Sequence, residues 1–448
     1  MIGEAWAIAQ AVREGRVSAV ETAQTAINRI RTLDGRINAV TRLLEKRALA
    51  EAALVDQKVA AGFDPGPLAG VPYGVKDLFD VAGLPTTAGA GIRRDAPPAS
   101  VDAQAIMRLN AAGAVLVATL NMDEFAYGFA TVNATWGTTR NPHDPGRLAG
   151  GSSGGSAAGV AAGMLPFTLG SDTNGSIRIP ASLCGVWGLK PTHGALPMEG
   201  VFPFVDSFDD IGPFTRSARD LALITGILAA KPLQMDASPG LCVARLGGWF
   251  ANNLEPAMET AFADFCGQLG ALPTIELPQV DRARSAAFLM TAAEGGRRHL
   301  PMLRHNPAGF DPATRDRLIA GAALPSAAYL DAQDFRIYYK AQLDRIFETV
   351  HIAVAPVTVG VAPRIDNPVI RIDGRPVPAR ANLGLFTQPL NFAGLPVISA
   401  PLATADGLPL GVQLIGPPGS DATLFAFAAD LEQRGLLRAH ICENPACP

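Results

Sequence analysis

Two serine-bearing glycine loops and one lysine in apolar surroundings are the residues of this chain best suited to covalent chemistry. The stretch from Gly150 to Ser176 reads GGSSGGSAAGVAAGMLPFTLGSDTNGS, which sets Ser152 and Ser153 between glycines and puts Ser176 behind Gly175, 24 residues beyond Ser152. Glycine lets backbone approach a substrate closely and adopt conformations closed to other residues. Upstream, Gly70-Val-Pro-Tyr-Gly-Val-Lys-Asp-Leu-Phe79 supplies Lys76. A serine hydroxyl is a poor nucleophile until a base removes its proton, so the base decides which serine matters.

Three readings compete. Gly151-Ser-Ser-Gly-Gly155 satisfies Gly-x-Ser-x-Gly, the nucleophile elbow of α/β-hydrolases, with Ser153 as nucleophile. That reading needs a later acid and then a histidine; His193, His299, His305, His351 and His440 follow, none in a characteristic setting. It also leaves Ser176 and Lys76 without a role. A phosphate-cradling loop could use free N–H groups ahead of a small-residue helix over 156–163. Neither Gly-x-x-x-x-Gly-Lys-Ser/Thr nor a dinucleotide fingerprint is present, however. Glycines that merely allow tight helix–sheet packing explain individual positions, but not their combination with Ser176 and Lys76. The third reading makes Lys76 the base of a hydroxyl relay. It requires the amine to be neutral near pH 7, and burial among Val71, Tyr73, Val75, Leu78 and Phe79 would lower its pKa. Asp77 would oppose this, but neighbours on a strand point to opposite faces.

Continuing through Ser176-Ile-Arg-Ile-Pro180 and Cys184-Gly-Val-Trp-Gly-Leu-Lys-Pro191, the run resembles the amidase signature family. The resemblance implies Ser176 as nucleophile, Ser152 as bridging serine after a cis Gly151–Ser152 peptide, and Lys76 as base. It also implies an oxyanion hole from the backbone N–H groups of Thr173, Asn174, Gly175 and Ser176. No cofactor and no metal enter that chemistry. Asn174 departs from the family's usual glycine, adding a donor and an acceptor beside the reacting carbonyl. Further stretches, among them Asn121-Met-Asp-Glu-Phe-Ala-Tyr-Gly128, Asn141-Pro-His-Asp144, Phe202-Pro-Phe-Val-Asp-Ser-Phe-Asp209 and Leu246-Gly-Gly-Trp-Phe250, are similar to a subgroup acting on small ureido or carbamoyl amides of the 1-carboxybiuret kind. That subgroup releases ammonia and works with a small helical accessory subunit, which implies a homodimeric or heterotetrameric assembly. The glutamine-hydrolysing members, which serve tRNA-dependent amidotransferases, carry an acid where this chain has Gly384, in Gly384-Leu-Phe-Thr-Gln-Pro-Leu-Asn391. Broad aliphatic or oxamate-type amidases are a further alternative within the family. Arg345 is a candidate carboxylate clamp, or equally a solvated helix arginine; Tyr127 and Gln388 are candidate substrate contacts. A non-catalytic scaffold would be marked by loss of a triad member, and all three are present.

The elements that must position these residues follow from composition and pattern. The chain has 448 residues, 48% hydrophobic and 17% charged, with a net charge of −4 and no long block of one sign. That suits a large core and gives no reason to expect nucleic acid or an anionic membrane as partner. The start lacks a signal-peptide pattern, and no apolar run reaches the roughly 18 residues of a spanning helix; the expectation is a soluble, cytoplasmic protein. Five cysteines, Cys184, Cys242, Cys266, Cys442 and Cys447, stand at spacings that match no metal motif. The first 65 residues read as helical, with Ser18-Ala-Val-Glu21 spaced as a capping box. Beyond about residue 70, buried-strand patterns (114–118, 241–244, 352–355, 396–400) alternate with helical ones (218–229, 256–269, 422–433). The expected fold is α/β, the amidase signature fold: one domain over 1–448, with a central mixed β-sheet covered on both faces by helices and a helical elaboration at about 250–345 over the site.

Overall fold

Strand and helix alternate along the chain, and hydrogen bonding gathers eleven strands into one mixed sheet. The computed structural model describes residues 3–231, 233, 240–403 and 407–442. The N-terminal part forms α1 (Ala5–Arg13), α2 (Ala19–Ile37), β1 (Val40–Leu43) and α3 (Glu45–Ala60). There follow β2 (Pro72–Lys76), α4 (Gln104–Ala111) and β3 (Val115–Leu120), then two small ribbons, β4 (Val132–Asn133) with β5 (Gly137–Thr138) and β6 (Arg140–Asn141) with β7 (Asp144–Leu148). The centre of the chain supplies α5 (Gly154–Ala161), β8 (Phe167–Asp172), α6 (Arg178–Cys184), β9 (Trp187–Lys190), β10 (Asp210–Thr215) and α7 (Ala218–Ala229). After β11 (Val243–Leu246) come α8 (Pro256–Gln268), β12 (Thr274–Ile275), α9 (Val280–His305), α10 (Pro312–Ala322) and α11 (Ser326–Phe347). The chain then runs through β13 (Ile352–Pro356), the ribbon β14 (Val369–Ile372) with β15 (Arg375–Pro378), α12 (Ala379–Asn382), α13 (Gln388–Ala393), β16 (Val397–Pro401), β17 (Gly411–Ile415) and α14 (Asp421–Gln433).

The sheet order is β1-β3-β2-β8-β10-β9-β16-β17-β13-β11-β12. Strand β3 is buried throughout, and its first three side chains divide by the two-residue period: Val115 and Val117 join the cluster under α2, α3 and α5, while Leu116 joins the cluster on the other face with Tyr73 and Phe167. Both faces of the sheet are thus covered, as the sequence pattern predicts. Helices α7, α8 and α14 lie within a residue of their predicted limits. The capping box at Ser18 is formed, with its side chain accepting from Glu21 N–H and the Glu21 carboxylate returning to Ser18. Strand β11 starts two residues later than its pattern suggests. The N-terminal part is not wholly helical. Val40–Leu43 is an edge strand antiparallel to β3, too short to show a period of its own. Likewise Thr274–Ile275 pairs in parallel with β11 inside the otherwise helical 250–345 segment. No helix among the described residues is long and apolar enough to cross a membrane. Cys184 and Cys266 are buried thiols, and Cys447 lies outside the described residues.

Glycine has a steric job in α5, the small-residue helix between the two serine loops. A Cβ on Gly155 would sit 2.5 Å from both Ala39 O and Asn121 N, so only hydrogen fits where α5 meets the strand ends. At Gly159 the nearest atom would be Thr168 Cγ2 at 3.9 Å. Gly155→Ala should therefore cost roughly 1–3 kcal/mol and lower activity by displacing the helix that follows Ser152. Gly159→Ala should be neutral or stabilising by up to about 1 kcal/mol. Urea unfolding of the two variants checks this, and equal stability would refute the packing argument.

Candidate active site

Strands β2, β3 and β8 run parallel, so their C-terminal ends share one edge of the sheet, the position at which α/β sheets expose ligand sites. Lys76 ends β2, and Ser171 and Asp172 end β8. Ser152 stands just ahead of α5, behind a cis Gly151–Ser152 peptide, and Ser176 just ahead of α6.

Lys76 is wholly buried. Its Nζ donates to Ser152 Oγ at 2.7 Å and to Ser171 Oγ at 2.8 Å, and no carboxylate lies within ion-pair distance among the described residues. Desolvation lowers its pKa to about 7, against a weaker upward pull from Asp123, Asp209 and Asp172. Asp77 faces away, its carboxylate accepting from the Thr87 hydroxyl, as strand alternation predicts. Lys190, also fully buried, is held differently: its Nζ sits 3.0 Å from Asp210 Oδ2. One buried lysine has a counter-ion, while the other has only hydroxyls.

The loop carrying Ser176 is fixed from beneath. Asp172 Oδ1 accepts from Gly175 N–H at 2.6 Å, and Oδ2 accepts from Ile177 N–H at 3.1 Å. The buried Arg178 guanidinium clasps the same carboxylate, with Nε 3.0 Å from Oδ2 and Nη2 3.1 Å from Oδ1. Arg178 also donates to Gln413 Oε1 at 2.9 Å and to Asn391 Oδ1. Burial alone would raise the pKa of Asp172. Arg178, Lys190 and the Asn391 amide outweigh it and bring the group to about 2, so this carboxylate stays charged.

A small cavity opens on Ser176. Tyr127, Phe129, Thr173, Asn174, Phe204, Phe288, Thr291, Arg317 and Gln388 stand around it. Ser176, Thr173, Asn174, Tyr127 and Gln388 share this cavity, while Lys76 and Ser152 are joined to each other beside the Ser176 loop, whose Ser176 O accepts from Ser153 N–H at 3.3 Å. Two residues named from the sequence are not part of it in the expected way. Gly175 spends its N–H on Asp172, leaving those of Thr173, Asn174 and Ser176, which have no acceptor among the described residues. Arg345 is exposed. The buried stripe of α11 runs through Ala332, Phe335, Tyr339 and Leu343, and a residue two places beyond Leu343 lies about 200° round the helix. Arg345 is thus the solvated arginine, not a clamp.

Ser153 is also excluded from the elbow role. Its hydroxyl donates to Ser171 O at 3.1 Å and lies off the cavity. No histidine hydrogen-bonds a serine hydroxyl among the described residues. No motif in the chain points to Ser171, Thr291, Phe288 or Arg317. Thr291 and Phe288 come from α9 and Arg317 from α10, and their relation to the serine loops is set by tertiary packing. Among the described residues no group of acids, histidines and cysteines could hold a metal ion.

A model of the amidase family matches residues 21–425, and the chain belongs to that family, the amidase-signature hydrolases of amide C–N bonds. It is 45% identical to AtzE, a component of the 1-carboxybiuret hydrolase of Pseudomonas sp. (strain ADP), over 96% of this chain and 98% of that protein. It is 35% identical to a component of the glutamyl-tRNA(Gln) amidotransferase of Chloroflexus aurantiacus, over 92% of this chain and 93% of that one. A solved s-triazine catabolic enzyme, described together with a vestigial protein complex, superposes with a TM-score of 0.94 at 45% identity, covering 98% of this chain and 100% of that chain. A solved 6-aminohexanoate cyclic dimer hydrolase gives 0.84 at 28% identity, with 96% of each chain covered.

The burial of Lys76 fixes the sign of a pH effect on stability. Its pKa in the fold, about 7, is below the ordinary 10.5. Between those values the unfolded chain holds the extra proton, so the destabilisation is complete below pH 7 and fades as pH rises toward 10.5. Lys76→Met should accordingly be the more stable protein at pH 6, with a margin that shrinks by pH 10. Urea unfolding of both proteins at the two pH values checks it; a margin that does not change with pH would contradict the desolvated lysine.

Proposed function

We propose that Lys76, Ser152 and Ser176 form a Ser-Ser-Lys relay that releases ammonia from a small ureido or carbamoyl amide of the 1-carboxybiuret type. Neutral Lys76 takes the proton of Ser152, which takes that of Ser176, and Ser176 Oγ attacks the amide carbonyl. The N–H groups of Thr173, Asn174 and Ser176 receive the developing oxyanion, the kind of stabilisation that costs about 3–4 kcal/mol per donor when removed. Ser152 returns the proton to the departing ammonia, and water then hydrolyses the acyl-enzyme through the same relay in reverse. The observation that carries this reading is a desolvated Lys76 lying 2.7 Å from Ser152 Oγ.

Substrate class is supported by the cavity's polar groups. Asn174 Nδ2 donates to Thr291 Oγ1 at 2.8 Å, while Asn174 Oδ1 is buried with no donor. A carbonyl oxygen in that state suits an N–H on the acyl side of the scissile carbonyl, which a ureido group has and a simple carboxamide, with carbon on that side, lacks. Glutamine fits less well. A Cβ at Gly384 would meet the Phe129 ring at 2.7 Å, so the acid that glutamine-hydrolysing members carry there could be placed only by moving that ring. The 45% identical relative from a 1-carboxybiuret hydrolase points to the same class. We propose a cytoplasmic setting and a small helical accessory subunit, in a homodimeric or heterotetrameric assembly. The solved relative described with a protein complex supports the partner subunit, as do the exposed Leu330 and Ile337 on α11.

Ammonia release from biuret-type compounds, glutamine, asparagine and a fatty amide tests the reading. Biuret-type compounds should be turned over at least about 100-fold more efficiently than glutamine. Ser176→Ala should lose roughly 10⁴-fold or more, and Ser153→Ala little. Efficient glutamine hydrolysis, or a Ser153→Ala loss larger than that of Ser176→Ala, would refute it.

A further inference from the structure

Asp209 is a buried carboxylate that neither the relay nor an ion pair uses. It stands immediately before β10 and is 8% exposed. Among the described residues no cation lies within ion-pair distance of it; Lys190 and His193 pair with its neighbour Asp210 instead. Taking a carboxylate out of water without a counter-ion is costly unless hydrogen bonds replace its hydration. Three do. Oδ2 accepts from the N–H groups of Phe204 and Val205 at 2.7 and 2.8 Å, and Oδ1 accepts from the Thr173 hydroxyl at 2.6 Å. Burial pushes its pKa up to about 6 despite these donors, so at neutral pH the group is ionised and can only accept.

The two oxygens have different work. Oδ2 closes the turn over 204–209, which α9 and α11 also hold: Glu294 accepts from Ser207 N–H at 3.2 Å, and Arg336 Nη2 donates to Ser207 O at 2.9 Å. That turn is fixed without Thr173. Oδ1 reaches instead to the loop of the nucleophile. There Asp172 holds the N–H groups of Gly175 and Ile177, and Thr387 holds Asn174 O. Thr173, the first residue beyond β8, is held through its side chain. The register that pairs Asp210 with Asp172 sets Asp209 opposite it. A hydroxyl–carboxylate bond is short and strong, and the β-branched threonine has little freedom about χ1. Fixing the hydroxyl therefore fixes the backbone that carries it.

We infer that Asp209 is a positioning residue for the reaction: through the Thr173 hydroxyl it aims the first N–H of the oxyanion loop at the carbonyl oxygen under attack. The inference rests on the oxyanion role proposed above for Thr173 N–H and adds the residue that sets its direction. That N–H bonds the oxyanion more strongly than the resting carbonyl, so loosening it costs turnover and leaves substrate binding nearly unchanged.

The test compares Thr173→Val, which keeps the shape and removes the hydroxyl, with Thr173→Ser, which keeps the hydroxyl. For each, kcat and KM for ammonia release are measured on biuret, glutamine and oxamide, with kcat scaled to the active serines counted by fluorophosphonate labelling. Thr173→Val should lose roughly 100-fold in kcat with KM within about twofold, and Thr173→Ser should recover at least about tenfold of that loss. Asp209→Asn keeps an amide oxygen for the Phe204 and Val205 N–H groups and should lose roughly tenfold in kcat, as a neutral bond replaces the charged one. Added to Thr173→Val it should cost less than about twofold more, because the contact through which it acts is already gone. A Thr173→Val kcat within about threefold of the wild type, a loss that falls on KM, a Thr173→Ser protein as slow as Thr173→Val, or two losses that multiply would each overturn the inference. Should Thr173→Val not fold, Asp209→Asn decides alone, and an unchanged kcat would overturn the inference. Failure of the ureido reading looks different. Biuret would be inert while Thr173→Val still lowered kcat on the amide that is turned over.

Discussion

An amine held out of water without a counter-ion is the constraint on which the rest of this site depends. Lys76 is wholly buried and meets two serine hydroxyls, whereas Lys190 in the same sheet meets Asp210. Moving a lysine from its ordinary 10.5 to about 7 corresponds to a cost on the order of 5 kcal/mol, at 1.36 kcal/mol per tenfold change in proton affinity. The surrounding strands must supply that stability, and they do so by placing Lys76 at the end of β2, with β3 and β8 on either side. Every residue of β2, β3 and β8 is buried.

The second fixed point is ionic where the first is not. Asp172 and Arg178 pair at zero exposure and tie the loop between them to α13 and β17 through Asn391 and Gln413. Buried pairs of this sort are weak contributors to net stability but leave an uncompensated charge if one partner is lost. Their use here is positional, since the Asp172 carboxylate collects the N–H groups of Gly175 and Ile177 on either side of Ser176. The amides of Thr173, Asn174 and Ser176 are left without an acceptor among the described residues. Thr387 adds a clamp from the opposite side, its hydroxyl donating to Asn174 O at 2.6 Å.

How much of this is legible in the chain divides by range of interaction. Local chemistry is: the Ser18 capping box, the extents of α7, α8 and α14, and the burial of Lys76 all rest on a few adjacent residues whose pattern states their environment. The opposite facing of Asp77 follows from strand period alone. What cannot be read depends on elements distant in sequence. Arg317 reaches the cavity because α10 packs on α9; nothing in its own neighbourhood distinguishes it from Arg345, which α11 turns to solvent. The motif suggests four oxyanion donors, Gly175 among them; the preference of Asp172 for that N–H emerges only once the loop closes. Short edge strands such as β1 stay hidden because four residues carry too little periodicity to outweigh helical neighbours.

The most direct test of the account is the pH dependence of Ser176 phosphonylation by a serine-directed fluorophosphonate, with loss of fluoride, followed by mass spectrometry in the wild type and in Lys76→Met. If Lys76 is the desolvated base, the wild-type rate rises once, with a midpoint near the lowered lysine value of about 7, and holds level into the alkaline range. The Lys76→Met rate is then lower by orders of magnitude and lacks that step. A wild-type midpoint near 10, or a Lys76→Met protein that is phosphonylated as fast as the wild type, would contradict it.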